Sequence, residues 1–223
     1  LSRNCNARSM TARLTANQNS NPFCSRYFEP GNIPFLFHNE HSIESLAHKI
    51  RNGTNQKRSI RRWAIVGPHG SGKSTLIKQL SEQLDCQVHV LHSSTNKLWA
   101  MRKIIAQLGR RPLCLVDGYE QLPHGARLWV AAFSRLKRVS LCVTTHRRPW
   151  AFELLWQTRI DQQVEQHVLD CLLGGDRPAL KTALLESQAW KDSRAKQREN
   201  LRESLFDMYD WWRDTVDEYS RAR

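Results

Sequence analysis

The stretch Gly67-Pro68-His69-Gly70-Ser71-Gly72-Lys73-Ser74-Thr75 restricts the folds open to this chain more than any other. It follows the apolar run Trp63-Ala64-Ile65-Val66 and precedes Leu76-Ile77-Lys78-Gln79-Leu80, so it reads as strand, loop and helix. The spacing G-x-x-x-x-G-K-[ST] carries its own mechanism: glycines let successive backbone N–H groups turn inward around an anion, and the following helix aims its positive end at the same place. Residues 67–75 then form a phosphate cradle, with Lys73 reaching the β- and γ-phosphates and the Ser74 hydroxyl a magnesium ligand. The plainer alternative is a glycine-rich turn with an incidental lysine.

A second element lies at Pro112-Leu113-Cys114-Leu115-Val116-Asp117-Gly118-Tyr119-Glu120. Four apolar residues running into an acid predict a buried parallel strand with a carboxylate at its C-terminal end, where open α/β sheets place their ligands. Asp117 suits an acid that organises magnesium, and Glu120 is the candidate for orienting an attacking water. A solvent-facing carboxylate at a helix start is the other reading of Glu120. A third element, Val139 to His146, predicts a strand ending in polar side chains. Of these, Thr145 and His146 are placed to sense a γ-phosphate, unless they are an ordinary strand-end hydroxyl and a surface histidine. Arg147 and Arg148, next in the chain, are candidates to stabilise transition-state charge, or simply solvated.

The rest of the chain reads in order around these elements. Residues 1–20 are rich in Asn, Ser, Thr and Arg, which predicts disorder. Residues 21–37 hold five aromatics and three prolines, an extended segment whose rings must be buried. Phe23, Arg26 and Tyr27 either pack on the domain or close over a nucleotide base. A short amphipathic helix capped by Ser42 is predicted to end at Asn52-Gly53. Strands are expected at 63–66, 87–91, 113–117 and 139–146, and helices at 76–84, 97–108 and 122–136. In the last of these Leu128, Ala131, Ala132 and Leu136 are the expected inward face. After an aromatic loop at 149–158, three helices are expected at 164–173, 178–190 and 198–219, forming a small bundle. The expected organisation is therefore a tail (1–20), an α/β nucleotide-binding domain with its docking segment (21–158), and a C-terminal helical piece (159–223).

Charge is distributed unevenly along the sequence. Residues 1–149 hold 23 Lys/Arg against 7 Asp/Glu, whereas residues 150–223 hold 11 against 14. Such a basic field would attract nucleic acid or an acidic protein, or be no more than a solvated surface. Six cysteines never occur as C-x-x-C; Cys86, Cys114 and Cys142 lie in or beside apolar runs and read as small buried hydrophobes in a reducing compartment. No apolar run approaches the roughly 20 residues that span a bilayer. A cytoplasmic protein without a membrane partner is the expectation.

Together, residues 67–75, 113–120 and 141–146 make the chain resemble P-loop ATPases that insert an extra strand and use a catalytic glutamate. Within that group it is most similar to the AAA+-type ATPases, because a helical segment containing Asn200-Leu201-Arg202-Glu203 follows the core. The resemblance extends to a set of P-loop proteins of planctomycete bacteria through Asn21-Pro22-Phe23, Arg26-Tyr27, Pro30-Gly31, Ile33-Pro34, Asp117-Gly118-Tyr119-Glu120-Gln121-Leu122 and Tyr209-Asp210. It implies an α/β three-layer sandwich with a mainly parallel central sheet and a small α-helical lid, with ATP and Mg2+ as cofactors. It also implies that Arg202 is the arginine through which the lid senses the nucleotide. The expected function is a magnesium-dependent ATPase switch. A P-loop kinase for a small metabolite and a nucleotide-gated binding module are the alternatives. Two departures stand out: Asp-Gly-Tyr-Glu replaces the usual Asp-Glu, and no matching arginine finger ends a core helix, so the resemblance does not extend to ring assembly.

Overall fold

A computed structural model describes residues 21–38, 41–55, 60–94, 96–108, 111–174, 178–198 and 200–221. The expectation of disorder in 1–20 lies outside them.

The chain divides into two compact units. One, Phe37–Gly67 with Gly72–Arg159, is an α/β unit built on a five-stranded, all-parallel sheet. Its elements are α1 (Ile43–Asn55), β1 (Arg62–Val66), α2 (Lys73–Leu84), β2 (Val88–Val90), α3 (Lys97–Gln107), β3 (Leu113–Asp117), α4 (His124–Leu136), β4 (Ser140–Thr145) and β5 (Glu153–Gln157). The strand order is β2-β3-β4-β1-β5, so β4 is inserted between β1 and β3. All residues of β3 and β4 are buried, which is why neither alternates apolar and polar residues in the sequence.

The fifth strand was not expected; the sequence predicted only an aromatic loop there. β5 is an edge strand of which only Leu155 is buried, so it shows neither an apolar run nor a clean alternation. The connection from β4 to β5 passes over β1 in seven residues, 146–152, without a helix. It turns at Ala151, at φ 65°, and Phe152 is then buried with its ring 5.7 Å from that of Tyr119.

Helix α1 is capped as expected by Ser42, whose hydroxyl accepts from the Ser45 amide while Ser45 Oγ accepts from the Ser42 amide. It does not stop at Gly53, however, but runs on to Asn55. A Cβ on Gly53 would come within 2.5 Å of the Trp63 ring. The glycine marks a close approach, not a terminus. Helix α4 differs in phase: Val130 and Ser134 face the core, whereas Leu128 and Leu136 are 71% and 73% exposed. In α3, Ala100 and Ile104 are buried and Leu98 points out. Cys114 and Cys142 are buried, but Cys86 is only half-buried.

The other unit contains the described part of Leu1–Leu36, the loop stretch Pro68–Ser71, and Ile160–Arg223. Its helices are α5 (Gln162–Leu173), α6 (Pro178–Glu186), α7 (Gln188–Gln197) and α8 (Leu201–Arg221). Four helices replace the expected three because Ser187 interrupts the second. Its Oγ donates to the Leu184 carbonyl and accepts from the Trp190 amide, ending α6 and capping α7. Residues 21–36 belong to this unit. Phe23 is fully buried among Leu169, Leu201 and Leu205, 6.0 Å from the Trp212 ring. It is thereby removed from the base-closing role. Arg26 donates to the Tyr27 hydroxyl. Among the described residues no helix is long and apolar enough to cross a membrane.

Candidate functional site

The glycine-rich loop leaves the C-terminal end of β1, where the Gly67 amide still donates to the Thr145 carbonyl of β4 at 3.3 Å. Gly72, at φ 86°, turns the chain into α2, and its carbonyl accepts the first helical bond from Leu76 at 2.9 Å. Only a glycine takes such a φ without strain. Lys73 opens the helix with its side chain buried, and Nζ donates to the Gly67 carbonyl at 2.8 Å. Burial lowers the Lys73 pKa, and the nearby carboxylates of Glu120 and Asp117 partly restore it. This ammonium therefore lies in the field of both candidate acids.

Asp117 ends β3, buried, and its Oδ1 accepts from the Thr144 hydroxyl at 2.5 Å. The same hydroxyl accepts from the Gly118 amide at 2.8 Å, so one side chain of the inserted strand fixes both the carboxylate and the turn after it. Gly118 stands at φ 77°, and a Cβ there would meet the Leu91 carbonyl at 2.6 Å. The turn is thus closed to other residues by conformation and by space. A single 3-10 turn, Tyr119–Gln121, follows and carries Glu120.

That turn resolves the unusual Asp-Gly-Tyr-Glu order. Glu120 Oε1 lies 3.1 Å from His146 Nε2, and His146 Nδ1 lies 3.0 Å from the Gly67 carbonyl, the group that also takes Lys73. Because a carbonyl only accepts, Nδ1 carries a proton; a carboxylate also only accepts, so the contact with Glu120 is an ion pair when Nε2 is protonated as well. The second oxygen, Oε2, is buried with no hydrogen-bond partner among the described residues. A buried carboxylate oxygen left unsatisfied is costly, and a water held there would relieve it.

The turn is braced from α4 and from its own tyrosine. Arg127 donates to the Glu120 carbonyl through Nη2 and to the Leu122 carbonyl through Nε, both at 2.7 Å, while Tyr119 donates its hydroxyl to the Arg127 carbonyl at 2.8 Å. Burial pushes the Tyr119 hydroxyl up to about 12, so it remains a donor.

Of the residues singled out in the sequence, the sheet unit brings Gly67, Lys73, Glu120 and His146 into one hydrogen-bonded or ion-paired cluster, with Asp117 held by Thr144. The Thr145 hydroxyl donates to the Arg147 carbonyl at 2.9 Å and closes the turn after β4. Ser74 and Thr75 lie half-buried in the first turn of α2. Arg147 and Arg148 are exposed. Thr144, Gly118, Tyr119 and Arg127 were not singled out. Arg127 was read only as part of the basic field.

In the helical unit, the loop stretch Pro68–Ser71 is closed by a hydrogen bond from Ser71 Oγ to the Pro68 carbonyl at 2.8 Å, with His69 exposed. Gly70, at φ 69°, lies against the start of α8. A Cβ on it would come 2.5 Å from Asn200 Oδ1, 2.9 Å from the Arg202 amide and 3.1 Å from the Leu201 amide. Arg202 itself lays its guanidinium 5.6 Å from the centre of the Phe206 ring.

Neither a scan of protein-family models nor a search of curated proteins returns a match to this chain. Among the described residues no group of three or more His, Cys, Asp or Glu side chains is arranged to hold a metal ion. A magnesium ion held chiefly by phosphate oxygens and water, with one carboxylate and one hydroxyl, needs no such group.

Proposed function

We propose that the chain is an ATP-binding, magnesium-dependent P-loop ATPase of the AAA+-like, additional-strand type, acting as a molecular switch. What carries the reading is the convergence of Lys73 and the Glu120–His146 pair on one loop carbonyl, that of Gly67. The insertion of β4 between β1 and β3 supports it, because Thr144 and His146, which hold Asp117 and Glu120, come from that strand's end.

The residues present fit a nucleotide and its metal. Gly70 and Gly72 hold the left-handed backbone that turns amides inward, Lys73 supplies a buried cation, and Glu120 keeps an unsatisfied oxygen. Residues 67–75 would bind the phosphates. Ser74 and Asp117 would hold Mg2+, with Thr144 fixing the orientation of the Asp117 carboxylate. When bound, magnesium neutralises phosphate charge and polarises the bond to be broken. Lys73 would exchange the Gly67 carbonyl for phosphate oxygens. Glu120 would orient water through Oε2, with the His146 ring 3.1 Å from Oε1. Sensing of the γ-phosphate falls to His146, with Thr145 shaping the turn beneath it. Arg202, in the helical lid, would respond to the bound state. Chemistry of this kind is mostly positioning and charge stabilisation.

The reading is tested by measuring Mg-ATP binding and turnover in parallel. Glu120→Gln is expected to bind as the native chain does and to turn over about 100-fold more slowly or worse. Unchanged turnover in that variant would remove Glu120 from the mechanism. The basic excess of residues 1–149 favours a second reading, a nucleotide-gated module for nucleic acid or an acidic protein. Turnover measured with and without DNA and RNA separates it from the first.

A further inference from the structure

Helix α4 carries two apolar stripes. One, around Val130 and Phe133, packs on the core; the other, Leu128, Ala132 and Leu136 with Trp129, faces away from it. Leu128, Trp129 and Leu136 are 71%, 58% and 73% exposed. Helix α3 packs beside α4 and adds Leu98 and Trp99, 61% and 59% exposed. Lys103 lies with its ammonium 5.0 Å from the centre of the Trp99 ring. Arg102 on α3, Arg135 on α4 and Lys137 and Arg138 directly after α4 are exposed as well. Neither residues 97–111 nor residues 121–152 contain a single Asp or Glu.

We propose that the outward faces of α3 and α4 form a docking surface for an anionic lipid layer. An acid-free cationic border selects an anionic partner. Five large apolar side chains inside that border select one with apolar depth, which phosphate backbones lack. A second copy is disfavoured by charge, since each chain carries a net +13. A groove for a partner helix would be lined by side chains sunk into its walls. These are more than half exposed and stand proud. Indole rings beside Lys and Arg are the composition that settles at a headgroup boundary, with leucines reaching below and cations at the phosphates. The proposal goes beyond the nucleotide reading and does not depend on it.

Co-sedimentation with lipid vesicles tests it, using the full chain. Vesicles of phosphatidylcholine alone are compared with vesicles in which about a third of the lipid is phosphatidylglycerol. Binding is expected to be at least about tenfold tighter to the anionic vesicles and to weaken with salt. Indole fluorescence should shift to the blue. The pair Leu128→Ser with Leu136→Ser, and separately Arg102→Glu with Lys103→Glu, should each lower that binding at least about tenfold while keeping the native circular dichroism. All four positions are exposed, so the fold survives their change. Equal binding to both vesicle types, no binding, or undiminished binding by both variants overturns the proposal. So does a leucine variant that binds vesicles normally but loses duplex DNA binding or dissociates a dimer in sedimentation velocity, since the face would then serve those partners.

Discussion

The side chain that most changes the view of the candidate site is Thr144, which ties Asp117 and the Gly118 amide to the inserted strand. Removing its hydroxyl while keeping its shape leaves a buried carboxylate oxygen without its donor, a loss of about 1–3 kcal/mol. Thr144→Val is therefore expected to destabilise the fold by about that amount and to weaken Mg-ATP binding more than binding of ATP without metal. Denaturant unfolding and calorimetry with and without magnesium read the two effects. Thr145→Val should spare the metal-dependent part. The sequence pointed to the neighbouring position because β4 is buried along its whole length, so no alternation of apolar and polar residues reveals which face each threonine occupies. Glu120 and His146 were legible as candidates. Their pairing was not, because it depends on a positive-φ glycine followed by one 3-10 turn, a path that residue spacing does not specify.

At the scale of elements, the strand–loop–helix unit and the β3 strand were legible because each is an apolar run bounded by turn or charge signals. Helix phase was less so. In α4 the sequence offers two apolar stripes, and the outward one has the cleaner four-residue spacing, Leu128, Ala132 and Leu136. The core stripe contains Ser134, whose hydroxyl is satisfied by the Ala131 carbonyl and so can be buried. Gly53 shows the same lesson in α1: it reads as a stop, yet the helix passes through it because the Trp63 ring fills the space a side chain would need. An exposed helical glycine changed to alanine gains about 1 kcal/mol. Gly53→Ala is expected to lose about 1–3 kcal/mol instead, as overpacking against an indole ring does. Urea denaturation measures the sign directly. On β2, His89 is buried beneath Lys103, and both burial and that charge lower its pKa below 6.5, partly opposed by a hydrogen bond with Gln107. Below that pH the unfolded chain binds the proton first, so stability should fall as the medium is acidified from 6.5 until the folded His89 also titrates. The difference in pH dependence between the native chain and His89→Gln isolates this contribution.

For the whole molecule, the sequence placed a boundary near residue 158; of the two compact units, one runs to Arg159 and the other resumes at Ile160. It assigned residues 21–36 to the sheet domain, whereas Phe23, Ile33, Tyr27 and Phe28 complete the core of the helical unit. Ring burial was legible from composition, but the partner was not, since an aromatic segment carries no address for the core it joins. The proposed activity requires that residues 67–75 with Lys73 grip a polyphosphate. Isothermal titration of the native chain and of Lys73→Ala with Mg-ATP tests it most directly. The account predicts saturable one-to-one binding by the native chain and its loss, by at least about 100-fold, in a variant that keeps the native fold. Absence of heat from the folded native chain, or equal affinity in the variant, would contradict it.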